Sequence, residues 1–456
     1  MTKYKLPDHA RELMDKMKMA GFECFAVGGC VRDMLLSKET KDWDFTTNAT
    51  PEQIQTLFSH SFYDNKFGTV GIPFEIPGSI KPAIYEATTY RSEEGYSDHR
   101  HPDKIVFGDS LTEDLKRRDF TINALAFDGE KIIDKHNGLK DLELKLIRAV
   151  GDADSRFSED ALRMLRAVRL AVQLSFSIEK KTLAAIAKNS TLITKISGER
   201  IRDELVKILS SQTPASGIML MKKAGLLKEI LPEADKCFGV EQKSPKRHHV
   251  YDVGTHLLKS LEMCPSKDPI VRLATLLHDV GKAVTYKKTD DGVITFYNHE
   301  LVGASIVRNI GSRLHFSKKD TQKLILLVRF HQFTVDERQT DSAVRRFIRN
   351  VGMENVTDIL DLRVADRLGG GARETSWRLE LFKKRLIEVQ KQPFSVADLK
   401  VSGHDVMRIY DSGPGPLVGA VLNMLFEDVV SGKLPNEKEI LLKRIKDLKN
   451  ESKIKK

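Results

Sequence analysis

The chain has 456 residues, of which 41% are hydrophobic and 30% charged, with a formal net charge of +10. That length excludes a single ordinary domain and predicts three or four, and no apolar run reaches the ~20 residues that a membrane-spanning helix needs. The positive balance favours a polyanionic partner without proving one, while Cys24, Cys30, Cys237 and Cys264 lack the paired spacing of a zinc knuckle or disulfide framework.

The first predicted element is a helix from Asp8 to Ala20, in which Leu13, Met14, Met17 and Met19 recur at roughly helical spacing and which Gly21 ends. The N-terminal stretch is charged throughout, without the apolar segment of a secretory signal, and a cytoplasmic location is expected. Phe22 to Val27 then reads as a strand running into a Gly28-Gly29 turn, a helix-like Val31 to Leu36, and Asp42-Trp43-Asp44. Adjacent glycines let the backbone approach a phosphate, and the helix N-terminus behind them offers free N–H groups. Alternate strand residues share a face, so Asp42 and Asp44 project together while Trp43 turns into the core. Converging carboxylates make an all-oxygen site that suits Mg²⁺ together with triphosphate oxygens. Taken singly, a Gly-Gly turn or an Asp-x-Asp is more often structural.

Thr50 as N-cap and Pro51 at the first helical position open a helix to Phe58. Gly68–Phe74 and Ala83–Thr89 read as strands, and the charged, turn-rich stretch from Arg91 to Lys104 as a surface loop. LKRRDFTINALAF, from Leu115 to Phe127, places Arg118 and Asp119 at the edge of a core, although a surface ion pair is an equal reading on composition alone. Asp134, Gly138 and Asp141 follow in DKHNGLKDL. The clearest helix is Asp160–Leu174: Ala161, Met164, Leu165, Val168 and Val172 share one face and Arg163 and Arg166 lie opposite. A solvated basic face is the usual meaning of that pattern. ERIRDELVKIL, from Glu199, opens another helix, and the chain then reads as all-helical.

His256, His278, Asp279, His299, His331 and Asp366 are spread along this helical part. Imidazole and carboxylate together suit borderline or hard divalent metals, and an adjacent His-Asp pair at a helix end can bridge two ions, although a lone His is more often a core residue. From about Phe394 the chain reads SVADLKVSGHDVMRIY, a GPGP turn, a helix from Leu417 to Gly432 and a last one after Pro435, ending in a Lys-rich frayed tail.

GG-x-VRD-x-LL followed by D-x-D, with RRDFTINA from Arg117 and EDALRMLRAVRL from Glu159, resembles the polymerase-β-like nucleotidyltransferases. The likeness is to the bacterial (class II) tRNA nucleotidyltransferases, that is the CCA-adding enzymes and their poly(A) polymerase relatives. HHVYDVGTH, LATLLHDVGK, FYNHE, LVRFHQF and LRVADRLGG resemble successive elements of the HD phosphohydrolase domain. The resemblance implies an α/β head with a mixed sheet, followed by all-α neck, body and tail with an inserted HD helical domain. The implied boundaries are 1–150 for the head, 151–210 for the neck, 211–385 for the body with the HD domain at about 241–371, and 386–456 for a tRNA-binding tail.

It also implies an enzyme that builds the 3′ C-C-A end of tRNA from CTP and ATP without a template. Asp42 and Asp44 would hold Mg²⁺, Gly29, Arg32 and Arg118 the triphosphate, and Asp160, Arg163, Arg166 and Arg169 would recognise the nucleotide. Asp160 as acceptor and Arg163 as donor, three residues apart on a helix, would complement the amino bases. His256, His278, Asp279, His299, His331 and Asp366 would hold a transition metal such as Mn, Ni, Co or Fe for a second, phosphohydrolase activity. Asp119 remains open as a third carboxylate, as does the oligomeric state; no membrane is expected. Alternatives are a C-C-only or A-only enzyme, a poly(A) polymerase, an HD phosphohydrolase with a degenerate head, and a non-catalytic RNA-binding protein.

Overall fold

The computed structural model describes the chain apart from residues 1–3, 41, 64–67, 76–81, 95–103, 109, 243–250, 334, 390–395 and 452–456. It forms two compact units, one of Met1–Glu241, Asp252–Leu258 and Arg308–Thr321, the other of Gln242–Tyr251, Lys259–Val307 and Gln322–Lys456. Among the described residues no helix is long and apolar enough to cross a membrane.

The first unit opens with α1 (Asp8–Met19), which buries Ala10, Leu13, Met14 and Met17 and leaves Met19 exposed. β1 (Cys24–Val27), α2 (Gly29–Leu35), β2 (Asp44–Thr47) and α3 (Pro51–Leu57) follow, α3 starting on a capping box between Thr50 and Gln53. β3 (Phe62–Tyr63), β4 (Thr69–Phe74) and β5 (Ala83–Thr89) complete the first half of a seven-stranded sheet. β6 (Arg91–Glu94) and β7 (Lys104–Phe107) pair antiparallel, so the ends of the expected 91–104 loop are a hairpin, and its tip lies outside the described residues. After α4 (Leu111–Lys116) come β8 (Leu125–Phe127) and β9 (Ile132–Asp134).

The sheet order is β3-β4-β5-β2-β1-β8-β9. β2 runs antiparallel to β1 and parallel to β5, which makes the sheet mixed, and the registers place Asp44 opposite Val27 on one side and opposite Glu86 on the other. Asp134 closes the DKHNGLKDL turn: its carboxylate accepts from the backbone N–H groups of His136, Gly138 and Leu139, which holds the start of α5 (Gly138–Glu143).

The helix expected over Asp160–Leu174 is present as α7 (Leu162–Leu174), starting two residues later, and a short helix that the sequence did not announce precedes it. That helix, α6 (Ala153–Glu159), ends at Asp160, whose φ of −135° and ψ of 103° are extended, and α7 begins after it. α7 buries Leu162, Met164, Leu165, Ala167, Val168, Leu170, Ala171 and Val172, as its periodicity predicts. α8 (Lys180–Asn189) and α9 (Gly198–Leu209) complete the described neck.

The second unit is built from helices, among them Pro269–Leu277, Asp341–Val351, Val356–Gly369 and Trp377–Glu388. Its last part packs Val406, Val421, Leu425, Ile445 and Leu448 of the helices Gly403–Tyr410, Pro416–Val430 and Lys438–Asn450 into one apolar cluster with Leu399, which precedes them. Arg345 donates to the Val430 carbonyl, tying that cluster to helix Asp341–Val351.

Candidate active site and a buried histidine–aspartate cluster

The head site is assembled where β1 turns into α2. Gly28, at φ +82° and ψ −135°, takes a backbone conformation that side chains strain against, and a Cβ there would lie 3.1 Å from Arg118 Nη1. A Cβ on Gly29 would meet nothing closer than 3.5 Å, so Gly28 is the glycine that the turn itself demands. Asp42 precedes β2 and Asp44 opens it; both are exposed, while Trp43 between them is 3% exposed, as alternation predicts.

Glu86 was invisible to sequence reasoning. The alternation of AIYEATT sets it on the face opposite Tyr85 and Ala87, but only the sheet order puts that strand beside β2. The Asp44 carboxyl is pushed up to about 6, first by the protein crowding it and then by the charge of Glu86, with Asp42 adding and Arg118 opposing. Glu86 and Asp42 both repel the Asp44 charge, and positive charge placed among these acids would relieve that repulsion.

The arginines are each tied to an acid. Arg32 makes a two-pronged contact with Asp33, at 2.9 Å for both bonds, and gives Nη1 to Asn123 Oδ1 at 2.6 Å. Asp114, fully buried, takes Arg117 at 2.6 Å and Arg118 at 3.2 Å, and also accepts from Thr46 Oγ1. Burial raises its pKa, but Arg118 and Arg117 outweigh that and lower it. The i+3 and i+4 spacing of those arginines was the sequence signal for Asp114.

Asp119 is not beside Asp42 and Asp44 as a further acid. Its Oδ2 binds Arg166 at 2.7 and 2.9 Å, and its Oδ1 accepts from Phe120 N and Asn123 Nδ2. Through Asn123 it joins Arg32 to α7 in one network. Burial pushes its carboxyl up, yet Arg166 and Asn123 prevail and hold it at about 2.

Asp160 and Arg163 do not share a pair. Asp160 Oδ1 accepts from Leu162 N at 3.0 Å and Oδ2 binds Arg200 at 2.9 Å; the side chain sits at the α6–α7 break, so helical spacing to Arg163 does not apply. Arg163 instead donates to Glu159 at 2.6 Å and to the Arg117 carbonyl at 3.0 Å. Arg169 lies 2.7 Å from Glu204, a buried ion pair without hydrogen-bond alignment.

In the second unit His278, Asp279, His299, His331 and Asp366 come together. Asp279 Oδ1 lies 3.2 Å from His299 Nε2 and 3.5 Å from His331 Nε2, and Oδ2 lies 3.4 Å from His278 Nε2, which is 3.6 Å from Asp366 Oδ1. Each imidazole keeps Nδ1 at 2.7 to 2.8 Å from the carbonyl three residues earlier, Thr275, Phe296 and Val328, which fixes the ring and turns Nε2 into the cluster. Burial depresses the basicity of His278, but Asp279 and Asp366 overcome it and raise the pKa to about 10. A Cβ on Gly281 would lie 2.1 Å from the His299 carbonyl, so that approach needs glycine. Lys282 Nζ binds Asp279 Oδ2 at 2.6 Å. His256 is buried on the helix Val253–Glu262, in the part belonging to the first unit.

Sequence models of known families match three stretches: the "Poly A polymerase head domain" at 24–148, the "Probable RNA and SrmB- binding site of polymerase A" at 175–238 and a "tRNA nucleotidyltransferase domain 2" at 305–445. A CCA-adding enzyme of Ligilactobacillus salivarius is 35% identical over 452 residues, 98% of either chain. One of Lactococcus lactis is 32% identical over 451 residues, 97% of this chain and 99% of its own. A CCA-adding enzyme of Bacillus stearothermophilus solved with CTP superposes with a TM-score of 0.72 at 26% identity, covering 97% of both chains. A Thermotoga maritima CCA-adding enzyme complexed with tRNA shares the fold, with a TM-score of 0.60 at 19% identity, covering 97% of this chain and 96% of its own.

The Asp119 clamp predicts an acid limb in stability. A carboxyl held at about 2 in the fold and at about 3.9 when unfolded stabilises the fold above pH ~4 and loses that contribution as pH falls towards 2. Asp119→Asn is expected to cost roughly 2 kcal/mol at neutral pH and to flatten stability between those pH values. Urea midpoints measured across that range check it; an unchanged acid limb would refute the clamp.

Proposed function

The chain belongs to the CCA-adding enzymes, a family of tRNA nucleotidyltransferases, and from that premise we infer how its own residues carry template-independent addition of C-C-A to tRNA from CTP and ATP. The observation that carries the reading is the meeting of Asp42, Asp44 and Glu86 in front of the Gly28 turn and Arg118. These carboxylates would hold a divalent cation such as Mg²⁺, which when bound lowers the pKa of the attacking 3′-hydroxyl and neutralises charge on the α-phosphate and leaving pyrophosphate. Gly28 and Gly29 leave room for the phosphates. Arg118, aimed by Asp114, donates to the triphosphate or its ribose, and Arg32 adds positive charge from a fixed position behind the turn. Chemistry of this kind is mostly positioning and electrostatics.

Base choice rests on Asp160 and Arg163. Cytosine and adenine each present an amino donor beside a ring-nitrogen acceptor, whereas uracil and guanine present the reverse. Asp160 only accepts when ionised, and Arg163 only donates. The salt links to Arg200 and Glu159 hold each group in place while leaving acceptor capacity on the carboxylate. Arg166 and Arg169, bound to Asp119 and Glu204, fix α7 against its neighbours. Basic surface holds tRNA through its backbone, and so by shape.

The histidine–aspartate cluster is a second divalent-metal site of phosphohydrolase type. Its imidazoles present Nε2 and its aspartates oxygen, a donor set that fits Mn²⁺, Ni²⁺, Co²⁺ or Fe²⁺ better than Mg²⁺.

Glu86→Gln is expected to slow single-turnover addition of labelled CMP by about a hundredfold or more, by analogy with lost charge stabilisation at other sites, with tRNA binding retained; addition at the parental rate would remove Glu86 from the site. Asp160→Ala should narrow the advantage of CTP and ATP over UTP and GTP by about 1–3 kcal/mol, read as incorporation ratios. If discrimination held and only thermal stability fell, Asp160 would be a helix cap alone. His331→Ala should strip Mn²⁺ from the protein as read by metal analysis after gel filtration, and full retention of the ion would sink the second site.

A further inference from the structure

The second unit has a cavity of about 500 Å³, bordered by Phe333, Arg363, Arg367, Trp377, Arg378 and Leu379, that none of these roles uses. Its floor is rigid: Phe333 is 9% exposed and packs on Phe347 and Phe382 with ring centroids 4.8 and 5.4 Å away. Its rim is an indole, Trp377, left 63% exposed at the start of helix Trp377–Glu388. The Arg378 guanidinium lies over the ring, 5.1 Å from its centroid, and the rest of the exposed indole is surface suited to a planar partner.

The polar side of the cavity suits an anion. The Arg363 guanidinium lies 5.5 Å above the Phe333 ring and gives one arm to Asp366 Oδ2 at 3.4 Å. Arg367 is fixed by bonds from Nε and Nη2 to the carbonyls of Arg373 and Thr375, at 3.0 and 3.4 Å. Both forks keep further N–H groups for a ligand, while Arg378 is already paired with Glu337 at 2.6 Å. Planar cations beside aromatic faces recognise phosphate and base together.

One lining residue of the cavity, Arg363, touches the histidine–aspartate cluster. Asp366, which holds Arg363 through one oxygen, faces His278 through the other, and Phe333 follows His331 by two residues. We propose that this cavity is the base subsite of the histidine–aspartate cluster and takes a nucleotide, with its base stacked on Trp377 and its phosphate drawn by Arg363 towards Asp366. The volume lies within the ~300–1,000 Å³ of small-molecule sites. The assignment rests on the metal reading of the cluster. The same chemistry is offered by a free nucleotide and by the terminal nucleotide of an RNA.

The test titrates the full chain with AMP in the presence of Mn²⁺ while tryptophan emission is followed. The chain has two tryptophans, and the difference between the parent and Trp377→Phe isolates the indole at the cavity. Saturable quenching is expected in the parent and lost in Trp377→Phe. Arg363→Gln should raise the half-saturating concentration about tenfold, with Arg367→Gln as an independent second variant. Ribose 5-phosphate, which lacks a base, should bind about tenfold or more weakly. A short oligoribonucleotide ending in a 3′-phosphate that saturates below AMP identifies an RNA end as the source, and the opposite order a free nucleotide. Mn²⁺ binding is measured separately by electron paramagnetic resonance on the parent and His331→Ala. Absent Mn²⁺ binding overturns the metal reading; bound Mn²⁺ with Trp377 emission indifferent to AMP overturns the subsite alone.

Discussion

Repulsion among like charges at one end of a mixed sheet is the constraint around which the head is arranged. Asp44 opens β2 directly opposite Glu86, with Asp42 two residues earlier, and burial first, then these two charges, raise the proton affinity of the central acid. Free arginines at this place would collapse onto the acids and neutralise them. The fold prevents that by pairing Arg32, Arg118, Arg163, Arg166 and Arg169 with other carboxylates, Asp33, Asp114, Glu159, Asp119 and Glu204, of which Asp114 is shared with Arg117 and Glu159 with Arg156. Positive charge is thereby kept near the acids without cancelling them, the arrangement that joint binding of a divalent cation and a triphosphate requires.

Much of this was legible in the chain. Local signals such as the Trp43 alternation, the Thr50 capping box and the apolar face of α7 matched the structure, because neighbouring residues fix those features. What the chain hid depended on distant partners. Glu86 needed the β2–β5 pairing. Asp119 looked like a candidate acid for a cation until its ties to Arg166 and Asn123 were seen. The start of a helix near Asp160 was legible but the short α6 before it was not, and the stop between them carries no glycine or proline: the Asp160 side chain accepts from Leu162 N and reaches Arg200, forty positions on. That interaction competes with a helix that propensity alone favours. The strand Arg91–Glu94 was hidden by its charge, which reads as loop.

The two sites follow different chemistry for the same reason. In the head, exposed oxygens on strand ends leave room for a large polyphosphate. In the second unit, buried imidazoles and carboxylates are packed so closely that Asp279 lies within 3.5 Å of three of them, His278, His299 and His331.

The hold that each imidazole has on the carbonyl three residues before it sets the ring's tautomer within its own turn of chain. Ligand orientation therefore does not wait for the tertiary fold. An ion captured by such ready-made donors closes long loops, the span from His278 to Asp366 among them, and closure entropy grows only slowly with loop length. With the proposed ion bound, the helices would act as a clasp, and mass action would make the second unit's resistance to unfolding track the free metal concentration, by about 2.7 kcal/mol at a hundredfold excess over Kd. Starvation for that metal would be felt first as loosening of this half of the chain.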